Sequence, residues 1–118
     1  MKTDEELKEE TTKDLIAPTF RLISNLVAAS NFTADWTKGA EGHEIKFTGP
    51  KGESGEFSIY ADTRRATPEA KKAFPVVILH WRRDGLNVTD SGHTRVKGLT
   101  PERLLLMFKG IFIPWFNW

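Results

Sequence analysis

The spacing of apolar residues changes after Ser30, and this change limits the possible folds more than any other feature. Over residues 19–29 the apolar side chains recur at intervals of three and four, which places them on one face of a helix. From residue 32 onward, apolar and polar residues alternate instead, as they do in a half-buried strand. The sequence therefore predicts a helix that is followed by a sheet.

Three alternating runs, separated by two glycine-containing turns, predict an antiparallel meander. Short connections of this kind favour hairpins over crossover connections. The alternating apolar residues are Phe32, Ala34 and Trp36, then His43, Ile45 and Phe47, then Phe57, Ile59 and Ala61. The predicted turns cover residues 38–42 and 49–52.

Residues 74–81 form the most β-prone run of the chain, and they are apolar on both faces, which is typical of a central strand. A tight turn at 83–85 predicts that residues 86–88 pair back as a fifth strand, followed by a polar loop over 89–98. Residues 69–73, after Thr67 and Pro68, have the start signals of one short helical turn.

The same start signals recur at Thr100 and Pro101 and predict a helix from Pro101 to about residue 112. At 100° per residue, one broad apolar arc of this helix faces the core, while Leu106 falls among its polar residues. The predicted core arc holds Leu104, Leu105, Met107, Phe108, Ile111 and Phe112.

The N-terminal residues 1–14 carry six acidic and three basic side chains, and they form an acidic arm or the first half of the first helix. Thr3 and Glu6 have the spacing of a capping box, and Pro18 predicts that the helix breaks, kinks or restarts. Residues 15–118 are expected to form a single α+β domain. The predicted fold is an N-terminal helix, an antiparallel sheet of four to five strands and a C-terminal helix packed on one face.

The chain has 118 residues and no cysteine, which excludes disulfides, thiolate metal sites and cysteine nucleophiles. Its first residues are acidic and polar rather than cationic and then apolar, so they do not resemble a signal peptide. These features favour a cytoplasmic location.

No group of residues has the pattern of a catalytic or metal site. His43, His80 and His93 lack a second ligand at metal-binding spacing. Asp84 and Ser91 lie near two of these histidines in sequence, but neither pair has the spacing of a nucleophilic or acid–base motif. The sequence therefore predicts a protein that is not an enzyme and that has no cofactor and no metal.

Basic residues cluster in the loops around the predicted central strand, where they could form one positive rim. With an aromatic platform, such a rim would suit single-stranded nucleic acid; a basic rim alone would also suit an acidic protein groove. The arginines of the rim are Arg64, Arg65, Arg82 and Arg83. The nucleic-acid hypothesis adds Tyr60 and Trp81 for stacking, with Arg95 and Lys97 for phosphates.

The apolar C-terminal end has several residues with no place on the core-facing arc. They either fold back over the domain, or bind a protein partner or a second copy of the chain; membrane contact is the least favoured, because the segment is too short to span. These residues are Leu106, Ile113, Trp115, Phe116 and Trp118.

The resulting hypothesis is a small non-enzymatic binding protein, such as an adaptor or a phage-type inhibitor of a host or defence complex. It would act by occupying a macromolecular surface, with the C-terminal apolar residues as anchors and the arginines as complementary charge. The alternative is a single-stranded nucleic-acid-binding module that uses the basic rim with Tyr60 and Trp81.

Overall fold

A computed structural model describes residues 2–39, 42–83 and 93–112 and confirms the predicted α+β architecture. The helices are α1 (Asp4–Thr11), α2 (Ala17–Ala29) and α3 (Pro101–Ile111), and a π-helical segment (Thr12–Ile16) joins α1 to α2. Helices α2 and α3 lie on one face of a five-stranded antiparallel sheet. The strands are β1 (Thr33–Lys38), β2 (Gly42–Thr48), β3 (Ser54–Arg64), β4 (Phe74–Arg83) and β5 (His93–Arg95).

The N-terminal helix begins at the predicted capping box. The Thr3 hydroxyl accepts from the backbone N–H of Glu6, and the Glu6 carboxylate accepts from the N–H of Thr3. Pro18 lies in the first turn of α2, which begins at Ala17, so the α-helix restarts near this proline, which is one of the predicted outcomes. The wider π-helical segment directly precedes it, and the N–H of Ala17 bonds to the carbonyl of Thr12. Such a segment absorbs the lost proline hydrogen bond within a continuous helix.

The strands follow one another in sheet order, so the predicted meander is confirmed. β4 contains the run predicted as a central strand; it pairs with β3 along its length and with β5 at residues 76–78. The fifth strand is His93–Arg95, within the segment expected to be a loop, while residues 86–88 lie outside the described residues. The predicted helical turn at 69–73 is wrong, because no helix is formed over these residues. A β-turn closes over 67–70 instead, with a hydrogen bond from the Ala70 N–H to the Thr67 carbonyl.

The core lies between one face of the sheet and helices α2 and α3. Phe57 of β3 is at its centre, with its ring centroid 5.2 Å from that of Phe108 and 6.2 Å from that of Phe20. Phe112 packs edge-on against Phe47 at 4.9 Å. Aromatic rings at these distances and angles add to the free energy gained by burial.

Helix α3 buries a narrower arc than its sequence predicts. Leu104, Phe108 and Phe112, four residues apart, are fully buried, whereas Met107 is 41% exposed. The assignment of Met107 to the core was therefore wrong. α3 packs beside α2 as well as on the sheet, and Leu105 and Ile111 of the predicted arc are only partly buried.

Candidate functional site

The arginines of the predicted rim lie at opposite ends of the sheet. The register pairs Arg64 with Phe74 at one end of β4, whereas Arg82 and Arg83 end the same strand eight residues later. At about 3.3 Å per residue, roughly 26 Å separates the two groups. The prediction of one continuous rim is therefore wrong. The register of β3 and β4 places Arg64 and Arg65 at one end of the sheet and Arg82 and Arg83 at the other.

At the first end, both arginines are ion-paired. Arg64 pairs with Asp62 on the same strand, and Arg65 pairs with Asp4 of α1 at 3.2 Å. The second pair attaches the acidic N-terminal helix to the end of β3. Both pairs remain about one-third exposed or more, so each contributes little to stability.

The neighbours of Asp62 change the pKa of its carboxyl group. Its burial opposes ionisation, but a hydrogen bond from Arg64, one from the Thr63 N–H, and the positive charges of Arg64 and Lys8 outweigh that effect. The pKa of Asp62 is therefore lowered from its ordinary value. The carboxylate and Arg64 hold each other in place, which limits what else this arginine can bind.

The arginines at the second end are also engaged. Arg82 donates to Glu56 at 2.8 Å, directly across the β3–β4 register. Arg83 donates to the carbonyl oxygen of Ile111 at 3.1 Å, at the C-terminal end of α3. A cation at this end of a helix satisfies a free carbonyl and interacts favourably with the helix dipole. Arg83 thus has a structural role as the cap of α3.

Tyr60 and Trp81 lie on opposite faces of the sheet and cannot form one stacking platform. Trp81 pairs with Phe57 on the helix-covered face and packs against the core. Tyr60 lies on the other face, 38% exposed, with its ring 6.1 Å from that of His80. Arg95 is on the face of Tyr60, but its guanidinium stacks on the Phe74 ring at 3.8 Å, and Lys97 is an exposed residue beyond β5.

The outer side of α3 carries an exposed apolar pair. Leu106 is 64% exposed and Met107 is 41% exposed, one turn after the polar Glu102 and Arg103. Gly110 continues this side, and a methyl group added there would meet no neighbouring atom within 4 Å. Leu106 is therefore exposed to solvent, as its position among the polar residues of α3 predicts. The other predicted anchors, Ile113, Trp115, Phe116 and Trp118, lie outside the described residues.

A groove that sequence reasoning missed lies between α2 and the edge strand β1. Its volume is about 540 Å³, and it is open to solvent on one side. The helix provides one stripe of residues, and β1 and the start of β2 provide the other wall. Its lining residues are Lys13, Ala17, Phe20, Arg21, Ser24, Trp36, Lys38 and His43.

The cationic side chains of the groove differ from those of the predicted rim. Across residues 2–39, 42–83 and 93–112, no ion pair engages Lys13, Arg21 or Lys38. Lys13 also borders a shallow hollow with Glu9, Glu10 and Asp14. Arg21 and Lys38 border the groove and not that hollow, so they are the two cations best placed to meet an anion there.

His43 forms the inner wall of the groove. Its side chain is 7% exposed, and its Nδ1 atom has no hydrogen-bond partner among the described residues. The ring packs edge-on against Phe20 at 5.6 Å. The preceding Gly42 permits the close approach of β2 and β3, because a Cβ there would overlap the Ile59 carbonyl oxygen and lie 2.8 Å from the Tyr60 Cα. Buried polar atoms without partners are rare and require an explanation.

The structure does not bring the three histidines together. His43 faces the helices, His80 lies on the opposite face, and His93 is in β5 at the sheet edge. Asp84 and Ser91 lie outside the described residues. In the part of the chain that the structure describes, no group of three or more histidine or acidic residues could hold a metal ion. No helix in that part is long and apolar enough to cross a membrane.

Comparisons with protein-family models, with curated proteins and with solved structures find no match for this chain. Any proposal about function must therefore be argued from the surfaces described above.

Proposed function

We propose that this chain is a small non-enzymatic binding protein of the cytoplasm, either an adaptor or a phage-type inhibitor of a host or defence complex. It acts by occupying a surface of a protein partner. The observation that carries this proposal is the exposed apolar pair Leu106 and Met107 on an α3 helix whose opposite side is fully buried.

The exposed pair is not needed to hold α3 on the domain. Leu104 and Phe108 fix the helix from its inner side, and Arg83 caps its C-terminal end. Leu106 and Met107 are large side chains that remain in contact with water, and burying them against a partner would release that water. Gly110 has no side chain to hinder the approach of a partner, and Glu102 and Arg103 supply a polar border.

The apolar residues that follow α3 in sequence would extend this surface. Trp115, Phe116 and Trp118 are of the types that most often anchor protein interfaces. The arginines Arg64, Arg65, Arg82 and Arg83 would steer an acidic partner by long-range attraction. The ion pairs of the first three and the bond of Arg83 to the Ile111 carbonyl limit them to a small share of the affinity. Changing them should therefore alter the association rate and its dependence on salt more than the dissociation rate.

The test is a paired affinity capture from a lysate of the source cells, followed by reconstitution with the purified captured protein. The test variant is Leu106→Gln with Met107→Gln, which removes apolar surface while keeping good helix formers. The matched control is Lys46→Gln with Lys51→Gln, two exposed positions outside α3. We expect the test variant to melt within about 3 °C of the unchanged chain and to bind its partner at least about 10-fold more weakly.

Three results would decide against the proposal or redirect it. Equal binding by the test variant and the control would remove α3 from the interface. Loss of capture after nuclease treatment would favour the nucleic-acid alternative. A dimer of the unchanged chain in sedimentation velocity that is lost in the test variant would assign the surface to self-association.

A further inference from the structure

We propose that the groove between α2 and β1 binds a nucleoside phosphate, either as a free nucleotide or as one nucleotide of a single strand. This groove is distinct from the α3 surface of the proposed function. Three features of its lining carry the proposal: cations without ion pairs, aromatic rings packed edge-on and a buried imidazole without a hydrogen-bond partner.

The cations of the groove indicate that the ligand is negatively charged. The cations line the groove from both walls. Lys13 lies on the π-helical segment, Arg21 lies on α2, and Lys38 ends β1. No acidic residue lines the groove among the described residues. Like charges that converge without a counter-charge repel one another, and an anion removes this repulsion. A phosphate group suits this arrangement because it can accept charged hydrogen bonds from the Arg21 guanidinium and the Lys38 ammonium together.

The aromatic residues of the groove indicate that the ligand contains a flat ring. Trp36 is half-buried, and its ring packs edge-on against Phe20, with centroids 5.4 Å apart and an angle of 77°. This contact holds the indole in place beside the cations. A nucleobase can stack on an aromatic ring held in this way, and such stacking is worth about 1–3 kcal/mol per base.

His43 assigns a polar contact to the inner wall. Its Nδ1 is buried without a partner, and its ring packs edge-on against Phe20. A polar group on the ligand that reaches this wall would give the imidazole a hydrogen bond. Lys38 is the register partner of His43 on the neighbouring strand, so a ligand held by Lys38 lies next to the imidazole.

The size of the groove is consistent with this ligand. Its volume of about 540 Å³ lies within the range of about 300–1,000 Å³ that is usual for small-molecule sites. One side is open, so a bound nucleotide could continue into a neighbouring nucleotide of a strand. The chemistry on the lining is the same in both cases.

Isothermal titration of the full chain tests the proposal. The ligands are adenosine monophosphate, adenosine, inorganic phosphate and a six-nucleotide oligo(dA). We expect the monophosphate to bind with Kd below about 1 mM, and adenosine and phosphate to bind at least about 10-fold more weakly. An oligonucleotide that binds more tightly than the monophosphate would identify a strand as the source; otherwise the source is the free nucleotide.

Matched variants locate the binding. Arg21→Gln with Lys38→Gln should weaken the monophosphate at least about 10-fold, because both exposed side chains lose charged hydrogen bonds. Lys46→Gln with Lys51→Gln removes the same charge outside the groove and should leave Kd unchanged. Trp36→Leu should weaken binding about 5-fold or more, whereas Tyr60→Leu on the opposite face should not.

The proposal is overturned if neither the monophosphate nor the oligonucleotide binds, or if inorganic phosphate binds as well as the monophosphate. It is equally overturned if the two charge variants affect Kd to the same extent. Because both charged test positions are exposed, circular dichroism should show an intact fold. Binding to the α3 partner should be unchanged in these variants, so failure of this proposal is separable from failure of the proposed function.

Discussion

The strand-end arginines and the groove cations have similar chemistry but opposite environments. Arg64, Arg65 and Arg82 each pair with a carboxylate, and Arg83 caps a helix. Within the described residues, Arg21 and Lys38 of the groove pair with nothing. The adjacent arginine pairs were conspicuous in sequence, yet the isolated cations are the ones left available. Availability of a charge depends on its neighbours in space rather than on its neighbours in the chain.

The largest expected effect comes from a change beneath the groove. Gly42→Ala would place a Cβ against the Ile59 carbonyl and the backbone of Tyr60, where neither can move without disturbing the β2–β3 pairing. We expect a loss of about 1–3 kcal/mol in the free energy of unfolding, measured by urea denaturation. Gly110→Ala is the control, because its added methyl group meets open space and should stabilise α3. Equal stability of the Gly42→Ala variant would contradict the close approach of β2 and β3.

The next effect distinguishes the two adjacent arginines at the end of β4. Arg83→Ala removes the hydrogen bond to the Ile111 carbonyl and should lower the free energy of unfolding by about 1.5 kcal/mol. Arg82→Ala removes only a surface ion pair with Glu56 and should cost less than about 1 kcal/mol. Hydrogen exchange in the last turn of α3 should accelerate only in the Arg83 variant. Similar effects of the two changes would argue against the cap.

A smaller effect is expected from the ion pair of Asp62 and Arg64. Because the pKa of Asp62 is lowered in the folded state, the folded chain binds this proton less readily than the unfolded chain does. The resulting stability is fully present above the ordinary pKa of 3.8 and is lost as the pH falls through the lower folded value. Asp62→Asn should therefore cost about 0.5 kcal/mol at pH 7 and nearly nothing at pH 2. A cost that does not change with pH would exclude an electrostatic origin.

The smallest effect is predicted for the groove itself. Arg21→Gln with Lys38→Gln should change the free energy of unfolding by less than about 0.5 kcal/mol, because neither side chain has an ion pair to lose in the described structure. Thermal and urea unfolding of the variant and the unchanged chain provide the measurement. A marked destabilisation would mean that these cations have structural roles like those of the strand-end arginines.

The sequence determined α1 to α3 and β1 to β4 because each has a local signal, whereas β5 lies in a segment predicted as a loop. Capping residues fixed the starts of α1 and α3, and the alternating runs fixed β1 to β3. These signals involve residues within about four positions of one another, which is the range of helical and strand periodicity. The exposed position of Leu106 followed from the same rule.

Only the tertiary structure decided which side chains meet across elements. The β3–β4 register separated the arginines and placed Tyr60 and Trp81 on opposite faces. The tertiary packing left Met107 exposed, and the position of α2 above β1 assembled the groove from residues up to 30 positions apart. Sequence periodicity assigns a residue to a face, but long-range pairing determines what lies opposite that face, and therefore which charges remain free to bind a ligand.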